Sequence, residues 1–589
     1  MSAAHKRNRL NPWILNRQNN MQIKSILAAR VEAAFAQLNL DGPAVIQAAS
    51  RAEFGDYQAN GVMGAAKRGK RNPREVAAEV VEVLDLAGIA SNVEIAGPGF
   101  LNITLDPAFL AQVDAGVVAE AAVPERVVVD YSAPNLAKEM HVGHLRSSII
   151  GDCLARVLEN QGHTVFRQNH VGDWGTQFGM LLTYMADIGE DSDELSDLEE
   201  FYRAAKQRFD ADEDFQTRAR LAVVNLQSGD PDALAAWQRF ITISMTHCQE
   251  IYERLGTTLQ PEHTAGESMY NDALAGIIQS LDEQDLLQVS DGARCVFLDE
   301  FKNKQGDVLP VIVQKSDGGY LYATTDLAAV QYRTGTLAAK RILIFTDARQ
   351  AQHFKQVFKV AELAGFNKTA ASLEHMPFGS MLGADGKPFK TRAGGVVRLA
   401  DVLDEAEQRA ADLARSRQTD AAGSAASADD IAELGRVIGI GALKYADLSK
   451  NRTSDYVFDW DQMLALEGNT APYLQYIYAR VQRVFERGEV DPTTLPHQTV
   501  SVNPEERRLA VSIAAFNDTL RQVADEGMPH FLCSYLYELA TRFNQFYEAC
   551  PILKESGDVR ERRLVLCQQT AATIKTGLSL LGIGVVNRM

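Results

Sequence analysis

The stretch from residue 126 to residue 168 constrains the fold more than any other part of the sequence. RVVVDY, residues 126–131, is an apolar run of the kind found in buried parallel strands. A loop follows, and apolar residues then recur at helical spacing until Gly162 ends the pattern. HTVFRQ, residues 163–168, is a second strand candidate. Strand, loop, helix and strand in this order predict a βαβ unit and, with it, a Rossmann-type parallel sheet.

The rest of the chain predicts that this α/β sheet is split and flanked by two other domains. A mainly helical segment interrupts the sheet at residues 177–290, and strands are expected again at residues 320–324 and 341–346. Helical patterns alternate with strands near the N-terminus, whereas nearly everything after residue 431 is helical. We therefore expect five parts. They are a basic arm or tag (1–20), an N-terminal α+β domain (21–122), a catalytic domain with the insertion (123–400), a linker with a helical stem (401–460) and an all-α C-terminal domain (461–589).

Composition excludes several classes of protein. No apolar run reaches the roughly 18 residues that a membrane helix needs, and six cysteines without a CxxC pair argue against a zinc ribbon or a disulfide scaffold. We expect reduced thiols in a cytoplasmic compartment. Lys and Arg number 59 against 77 Asp and Glu, and the net charge of −18 argues against non-specific nucleic-acid binding, although a local basic groove is compatible with it. The first twenty residues are basic, and they are either a tag or upstream start or an arm that touches RNA.

His141-Val-Gly143-His144 lies where the first strand and its loop lead into a helix. Backbone N–H groups and the helix dipole make such a junction an anion site, and two imidazoles three residues apart can reach a triphosphate there. Gly143 would let a flat base approach the backbone. A pair of structural histidines is the alternative, but the position after the strand favours nucleotide binding.

A second basic motif lies far downstream, on the glycine-rich loop GADGKPFKTR, residues 383–392. Lys387, Lys390 and Arg392 could hold phosphates as negative charge develops in a transition state. A solvated surface loop is the alternative. Walker A and GxGxxG patterns are absent from the sequence, which disfavours P-loop nucleotide hydrolases and dinucleotide oxidoreductases.

Three segments together resemble the class I aminoacyl-tRNA synthetases in their arginyl form. They are DYSAPNLAKEMHVGHLRSSIIGD at 130–152, NHVGDWGTQFGML at 169–181 and GKPFKTRAGG at 386–395, which is similar to that family's version of the KMSKS loop. The resemblance implies an arginine–tRNA ligase that uses ATP with Mg²⁺ as substrate, binds tRNA and needs tRNA for activation. It also implies that Lys138 shares the phosphate work of His141, His144, Lys387 and Lys390. We expect no zinc, no other cofactor, no membrane partner and a monomer.

Arginine recognition needs carboxylates, because a guanidinium is planar and always charged. Ligands of such sheets bind at the carboxyl ends of the strands, and the resemblance assigns matching positions to the amino acid. We expect Asp326 and Tyr322 at the guanidinium, Asn135 and Gln350 at the α-amino and carboxylate groups, and Asp130 at either end. The alternative for Asp326 is a cap on a helix that starts after Thr325. In the same segment as Gln350, His353 is expected near the nucleotide.

RNA contacts are expected at both ends of the chain. Phe100 and Asn102 alternate on one predicted strand, and unpaired bases are read by stacking and by hydrogen bonds to their edges. The resemblance assigns this N-terminal domain to the tRNA elbow and the C-terminal helices, with Tyr473 and Arg480, to the anticodon. Core packing is the alternative for these aromatics. Two other functions compete: a non-catalytic tRNA-binding relative, and an enzyme of this fold that adenylates a small acid without tRNA.

Overall fold

The chain folds as two units, each assembled from segments that are distant in sequence. The first comprises Met1–Ala121, Ala465–Leu580 and Gly584–Met589, and the second Ala122–Leu464 and Leu581–Ile583. The computed structural model describes residues 22–49, 51–189, 198–389, 397–418 and 427–589. The predicted basic arm at 1–20 and Lys390 therefore lie outside the described residues.

The N-terminal part of the first unit packs helices on an antiparallel sheet of order β1-β2-β4-β3. The strands are β1 (Ile46–Ala48), β2 (Tyr57–Ala59), β3 (Ala90–Ala96) and β4 (Phe100–Leu105). The helices are Ile23–Gln37, Gly61–Arg68, Pro73–Val83 and Pro107–Leu110. Asn72 caps the third of these through Arg74 N, and Pro73 occupies its first turn, as a residue without an N–H can.

Helices form the C-terminal part of the first unit, as the apolar spacing predicts. They are Ala471–Gly488, Pro504–Ala514, Phe516–Glu526, His530–Ala549 and Gly557–Leu580. Asp518 joins them to the N-terminal part, because its carboxylate accepts hydrogen bonds from the backbone N of Lys24 at 3.1 and 3.2 Å and from the Tyr57 hydroxyl at 3.4 Å. Burial raises the pKa of Asp518 to about 6. Arg507 adds an ion pair to Asp56 at 2.5 Å.

The second unit carries the predicted parallel sheet. Its strands are β5 (Arg126–Asp130), β6 (Thr164–Gln168), β7 (Gln288–Ser290), β8 (Ala293–Lys302), β9 (Val308–Gln314), β10 (Arg341–Ile344), β11 (Ser372–His375), β12 (Met381–Leu382) and β13 (Tyr456–Val457). Order β11-β10-β5-β6, with every neighbouring pair parallel, makes the Rossmann-type sheet. Val127, Val128 and Val129 in β5 are fully buried. The fold class predicted from the sequence is confirmed.

Helices connect and interrupt this sheet. They are Gly143–Asn160, Thr176–Ile188, Leu198–Ala211, Glu213–Gln227, Pro231–Leu255, Asn271–Glu283, Tyr322–Gly335, Ala351–Leu363, Leu399–Gln418, Ala428–Leu448 and Trp460–Met463. An antiparallel sheet, β7-β8-β9, lies between the insertion helices and the helix that begins at Tyr322.

The strand predicted at residues 320–324 is wrong. Tyr320 forms an isolated bridge with Gln314, and the chain turns into a helix at Tyr322. Gly318 supplies the left-handed turn, with φ of 89°, that returns the chain after β9. The helix forms because Ala323, Leu327 and Val330 recur at helical spacing and are buried.

Candidate active site

A cavity of about 530 Å³ opens at the carboxyl ends of β5 and β10. The rule that places ligands at strand ends predicts this location. The cavity brings together all the residues that the sequence predicts for arginine. The lining includes Asp130, Asn135, Tyr322, Asp326 and Gln350, together with His353 and the residues His170, Gln177, Glu267 and Thr325, for which the sequence predicts no role.

Asp130 is already neutralised within the protein. Its carboxylate pairs with Arg333 at 2.5 Å, and Arg333 is only 2% exposed. The Arg333 Nε donates to the side-chain oxygen of Gln168 at 2.6 Å. Because a buried guanidinium requires this partner, Oδ2 of Asp130 is engaged by Arg333, and the expected role of Asp130 in holding arginine stays a prediction. Sequence reasoning missed Arg333 because an arginine in the middle of a helix carries no motif.

Asp326 lies in the second turn of its helix rather than at the start. The helix begins at Tyr322 and its N-cap is Leu321, so the capping interpretation of Asp326 is wrong. The Asp326 carboxylate instead forms a hydrogen bond with His353 Nε2 at 2.6 Å and lies 4.0 Å from His170 Nε2. His353 is thus placed against the acidic residue of the cavity, and its expected role at the nucleotide stays a prediction.

Glu267 is the strongest electrostatic feature that sequence reasoning missed. Burial, with Asp173 and Asp326 nearby, raises the pKa of Glu267 to about 8. It begins a short 3₁₀ turn, Glu267–Tyr270, after the insertion helices, where the sequence offers no motif. A carboxyl group that is desolvated beside other acids is a candidate ligand for a cation. Tyr322, which is 66% exposed, also lines the cavity, and burial and Glu267 raise its pKa.

The HVGH segment presents two neutral imidazoles at the start of the helix Gly143–Asn160. Burial and His141 lower the pKa of His144 to about 3, and burial with Lys138 nearby lowers the pKa of His141. The Nδ1 of His141 accepts from Gly143 N at 3.0 Å, and the Nδ1 of His144 accepts from His141 N at 3.1 Å. Each ring therefore carries its proton on Nε2, where it can donate to an anion.

Gly143 leaves room for the imidazole ring of His141, whether or not a ligand also approaches it. A Cβ at this position would lie 2.7 Å from Cε1 of His141, so any larger residue would displace that imidazole. The rings of His141 and His144 lie 4.0 Å apart between centroids. Glycine is thus required by the histidine pair itself, whereas the expected approach of a base stays a prediction.

The chain at Val397 and Leu399, downstream of the basic loop, contacts the HVGH segment. Val142 N donates to Val397 O at 3.0 Å, and Leu399 N donates to Met140 O at 3.0 Å. Within the basic loop itself, Gly383 N donates to Lys387 O at 2.8 Å, and the Lys387 side chain is exposed. The joint action of the basic loop and HVGH on phosphates stays a prediction.

Lys138 occupies the loop just before HVGH. Its ammonium lies 4.4 Å from the ring centroid of Tyr202 in an insertion helix, which is a cation–π distance. Lys138 is half-buried, so the side chain is held close to His141 rather than extended into solvent.

Phe100 and Asn102 lie on β4, as predicted, but their exposure differs. Phe100 is half-buried, whereas Asn102 is 6% exposed, and its side-chain oxygen accepts from Gln58 Nε2 at 2.7 Å. Asn102 pairs in register with Gln58 on one side and with Glu94 on the other. The amide therefore belongs to a polar row across the sheet, and its reading of a base stays a prediction.

A second cavity, of about 490 Å³, lies among the C-terminal helices. Cations and aromatic rings line it, and they include Tyr476, Arg480, Arg483, Arg487, Tyr547 and Lys554. Arg480 lies 4.7 Å from the ring centroid of Tyr476 and donates to Asn544 Oδ1 at 2.7 Å. Asn544 in turn donates to the Tyr473 hydroxyl at 2.8 Å, which fixes Tyr473 beside Arg480.

Family models cover nearly the whole chain. The model described as "tRNA synthetases class I (R), catalytic domain" matches residues 108–460. The model for the arginyl tRNA synthetase N terminal domain matches residues 21–105, and the model for the DALR anticodon binding domain matches residues 474–589. None of the helices in the described part of the chain combines the length and apolar character needed to cross a bilayer.

Individual proteins are similar over the same length. A relative from Marinomonas sp. (strain MWYL1), named arginine–tRNA ligase, is 53% identical over 582 residues and covers 97% of this chain and 100% of its own. A relative of the same name from Cellvibrio japonicus is 54% identical over 584 residues, with the same coverage. The crystal structure of arginyl-tRNA synthetase from Plasmodium falciparum superposes with a TM-score of 0.82 at 29% identity, covering 96% of this chain and 99% of that one. The chain therefore belongs to the arginyl-tRNA synthetase family.

Proposed function

We propose that the acidic cavity holds arginine and that the HVGH segment holds the phosphates of ATP. The enzyme is an arginine–tRNA ligase. Arginine attacks the α-phosphate of ATP through its carboxylate and gives arginyl-adenylate and pyrophosphate. A ribose hydroxyl of the terminal adenosine of tRNA then takes the arginyl group, and AMP leaves. Because this route needs no covalent enzyme intermediate, positioning and charge stabilisation supply the catalysis.

The guanidinium is assigned to Asp326 and Glu267, with Tyr322 at the edge of the cavity. These two carboxylates lack a buried arginine partner among the described contacts, whereas Asp130 has Arg333. Asn135 and Gln350 are assigned to the α-amino and carboxylate groups, because both line the same cavity from loops at the strand ends. Asp130 with Arg333 then forms a rigid neutral wall.

Phosphates are assigned to His141 and His144 through their Nε2 protons, which donate without adding charge. Lys138, Lys387 and Lys390 supply the positive charge, and Lys390 is assigned from the sequence because it lies outside the described residues. The described residues contain no group of three side chains that could hold a metal ion. Mg²⁺ would enter with ATP on its phosphates.

The tRNA is assigned to two surfaces of the first unit. Phe100 and Asn102 are proposed at the elbow, and Tyr473 and Arg480 at the anticodon, where the second cavity offers cations and rings. We propose the domain boundaries 21–122, 123–400 and 461–589. The elbow contact then lies in the first of these domains and the anticodon contact in the last. One chain carries every assigned residue, which supports a monomer, and the six cysteines are buried and free, which supports a cytoplasmic location.

The observation that carries the arginine assignment is the convergence of Asn135, Tyr322, Asp326 and Gln350 on one cavity. Pyrophosphate exchange tests it, measured for every amino acid with and without tRNA. Among the amino acids, only arginine should support exchange, and the exchange should require tRNA. His144→Ala should lower exchange by more than about tenfold, equivalent to about 1.4 kcal/mol, while the exposed control His497→Ala leaves it unchanged. Exchange that His144→Ala does not lower would remove the phosphate role.

A further inference from the structure

Ser132 and Ala133, directly after β5, both adopt left-handed backbone conformations. Their φ angles are 72° and 48°. Residues with a Cβ rarely adopt this region, and two in succession persist only where the surroundings impose the conformation. The turn therefore requires an external clamp.

Side chains from two other segments supply that clamp. Ala133 N donates to Asn169 Oδ1 at 2.9 Å, and Asn169 Nδ2 donates to the Tyr252 hydroxyl at 3.0 Å. The Tyr252 hydroxyl lies 2.8 Å from Ser132 Oγ, and Ser132 N donates to Ser147 Oγ at 2.9 Å. Since Ala133 N can only donate, it fixes Oδ1 of Asn169 as the acceptor and leaves Nδ2 to donate to the Tyr252 hydroxyl. The Tyr252 hydroxyl can then donate to Ser132 Oγ, so the hydrogen bonds run from Asn169 through Tyr252 to Ser132.

The clamped turn sets the position of the loop that follows it. Asn135 is two residues beyond Ala133 and lines the arginine cavity, where it bridges in parallel to Gly172. Lys138 and His141 follow in the same loop. A change in the turn would therefore move Asn135, whereas the HVGH segment has its own anchors, from Val142 N to Val397 O at 3.0 Å and from His141 N to His144 Nδ1 at 3.1 Å.

Tyr252 comes from the helical insertion and not from the sheet. It lies near the end of the helix Pro231–Leu255, is 1% exposed and does not line the cavity. We propose that Tyr252, through its hydroxyl and Asn169, is a positioning residue for arginine activation that holds the Ser132–Ala133 turn in its left-handed form. The insertion thereby preorganises the amino-acid site. This proposal rests on the assignment of Asn135 to the bound arginine.

The test is Tyr252→Phe, which removes one hydroxyl and keeps the ring. The KM for arginine should rise about tenfold, because a small displacement of a binding group is enough to lose this much, whereas the KM for ATP changes less than twofold. Tyr535→Phe is the control, since it removes the hydroxyl of a half-buried tyrosine in the other unit, which donates to Ser512 O at 2.9 Å. The control should leave the KM for arginine unchanged.

Rescue separates positioning from general destabilisation. Glycine adopts positive φ freely, so adding Ala133→Gly to Tyr252→Phe should restore most of the arginine KM, although it adds no contact. If Tyr252→Phe does not fold, Ser132→Ala removes the same hydrogen bond from its other end, together with the bond from Ser148 Oγ at 2.9 Å, and should raise the KM for arginine at least as much.

Three results would overturn the proposal: an unchanged arginine KM in Tyr252→Phe, an equal rise for arginine and ATP, or a failure of Ala133→Gly to rescue. Asn135→Ala distinguishes these from a failure of the site assignment. If Asn135→Ala raises the arginine KM and Tyr252→Phe does not, the clamp is wrong and the cavity assignment stands. If Asn135→Ala also has no effect, the assignment itself is wrong.

Discussion

The cavity at the end of the parallel sheet and the cavity among the C-terminal helices have similar volumes, about 530 and 490 Å³, but opposite charge. Asp130, Glu267 and Asp326 line the first, and Arg333 neutralises only Asp130. Arg480, Arg483, Arg487 and Lys554 line the second, with Glu548 as its acid. Each cavity has the charge opposite to that of the ligand assigned to it.

The difference shows that local charge, and not the net charge of −18, determines what each part of the chain binds. Desolvation, with Asp173 and Asp326 nearby, raises the pKa of Glu267 to about 8, so this carboxyl group is largely protonated at pH 7 until a cation favours its charged form. In the basic cavity the cations are already engaged with rings and amides, as Arg480 is with Tyr476 and Asn544. An arginine ligand completes the first site, whereas RNA must compete with these contacts in the second.

Asp326→Asn should produce the largest change, confined to the acidic cavity. A carboxylate facing a guanidinium contributes roughly 1.5–3 kcal/mol, so the KM for arginine should rise about ten- to a hundredfold. The KM for ATP and the affinity for tRNA should stay close to wild type. Steady-state exchange kinetics and tRNA binding measure the three quantities.

Citrulline, a neutral analogue, makes this comparison sharper. It has no ion pair to lose, so Asp326→Asn should weaken citrulline much less than arginine. Asp282→Asn, on an exposed helix position, is the control and should change neither ligand. Equal weakening of arginine and citrulline would mean that the guanidinium is held elsewhere in the cavity, with Glu267 as the next candidate.

Sequence patterns predicted the acidic cavity unevenly, for physical reasons. Asn135 and Gln350 were found because parallel strands end at one edge, so the loops that follow them converge. Glu267 was missed because it reaches the cavity from a short turn in the insertion, which no periodicity marks. Arg333 was missed because its pairing with Asp130 depends on packing between a helix and β5, which sequence separation conceals.

The fold was predicted better than its connections. A buried apolar run gave β5, because a strand covered on both faces must be apolar throughout. The same criterion failed for residues 320–324, where the first turn of a buried helix is equally apolar. Short apolar runs cannot distinguish these two states without their packing partners.

Arg480→Gln should have the next largest effect, confined to the basic cavity. Loss of one cation beside two rings should weaken tRNA binding about tenfold and reduce the slope of log affinity against log salt by about 1. At saturating tRNA the KM for arginine should be unchanged. Filter binding across a salt series measures the slope.

Arg436→Gln is the control for this variant. Arg436 is exposed and pairs with Glu433 at 2.6 Å in the other unit, so its loss should leave tRNA binding within twofold. A salt slope that falls equally in both variants would show diffuse electrostatic attraction and not a defined site, and the proposed contrast between the cavities would fail.

Arginine binding should depend on pH through Glu267. The pKa of about 8 in the free enzyme should fall when a guanidinium binds, because the cation favours the charged carboxylate. Binding therefore releases a proton below pH 8, and affinity should rise about fivefold from pH 7 to pH 8 and be lost as the pH falls.

Calorimetry in two buffers of different ionisation enthalpy measures the released proton directly. Glu267→Gln should bind arginine more weakly and abolish the release, whereas Asp282→Asn should retain it. Proton release that persists in Glu267→Gln would assign the titration to another group in the cavity. The affinity of tRNA should not follow this pH profile, since the group lies in the acidic cavity.

Deleting residues 1–20 should have the smallest effect, and it decides where the RNA-binding charge resides. The segment contributes Lys6, Arg7, Arg9 and Arg17 and no acid, so its removal leaves 59 − 4 = 55 cations against 77 acids, a net charge of −22. If the basic cavity carries tRNA binding, the truncated enzyme should bind tRNA within twofold of wild type, even at low salt where exposed charges act over the longest range. Charging and the melting temperature should be unchanged, because the first helix of the described residues starts at Ile23, beyond the deleted segment. Strong weakening at low salt that disappears at high salt would make the arm a further RNA-binding element, and the cationic cavity and the strand that carries Phe100 and Asn102 would then share tRNA binding with it.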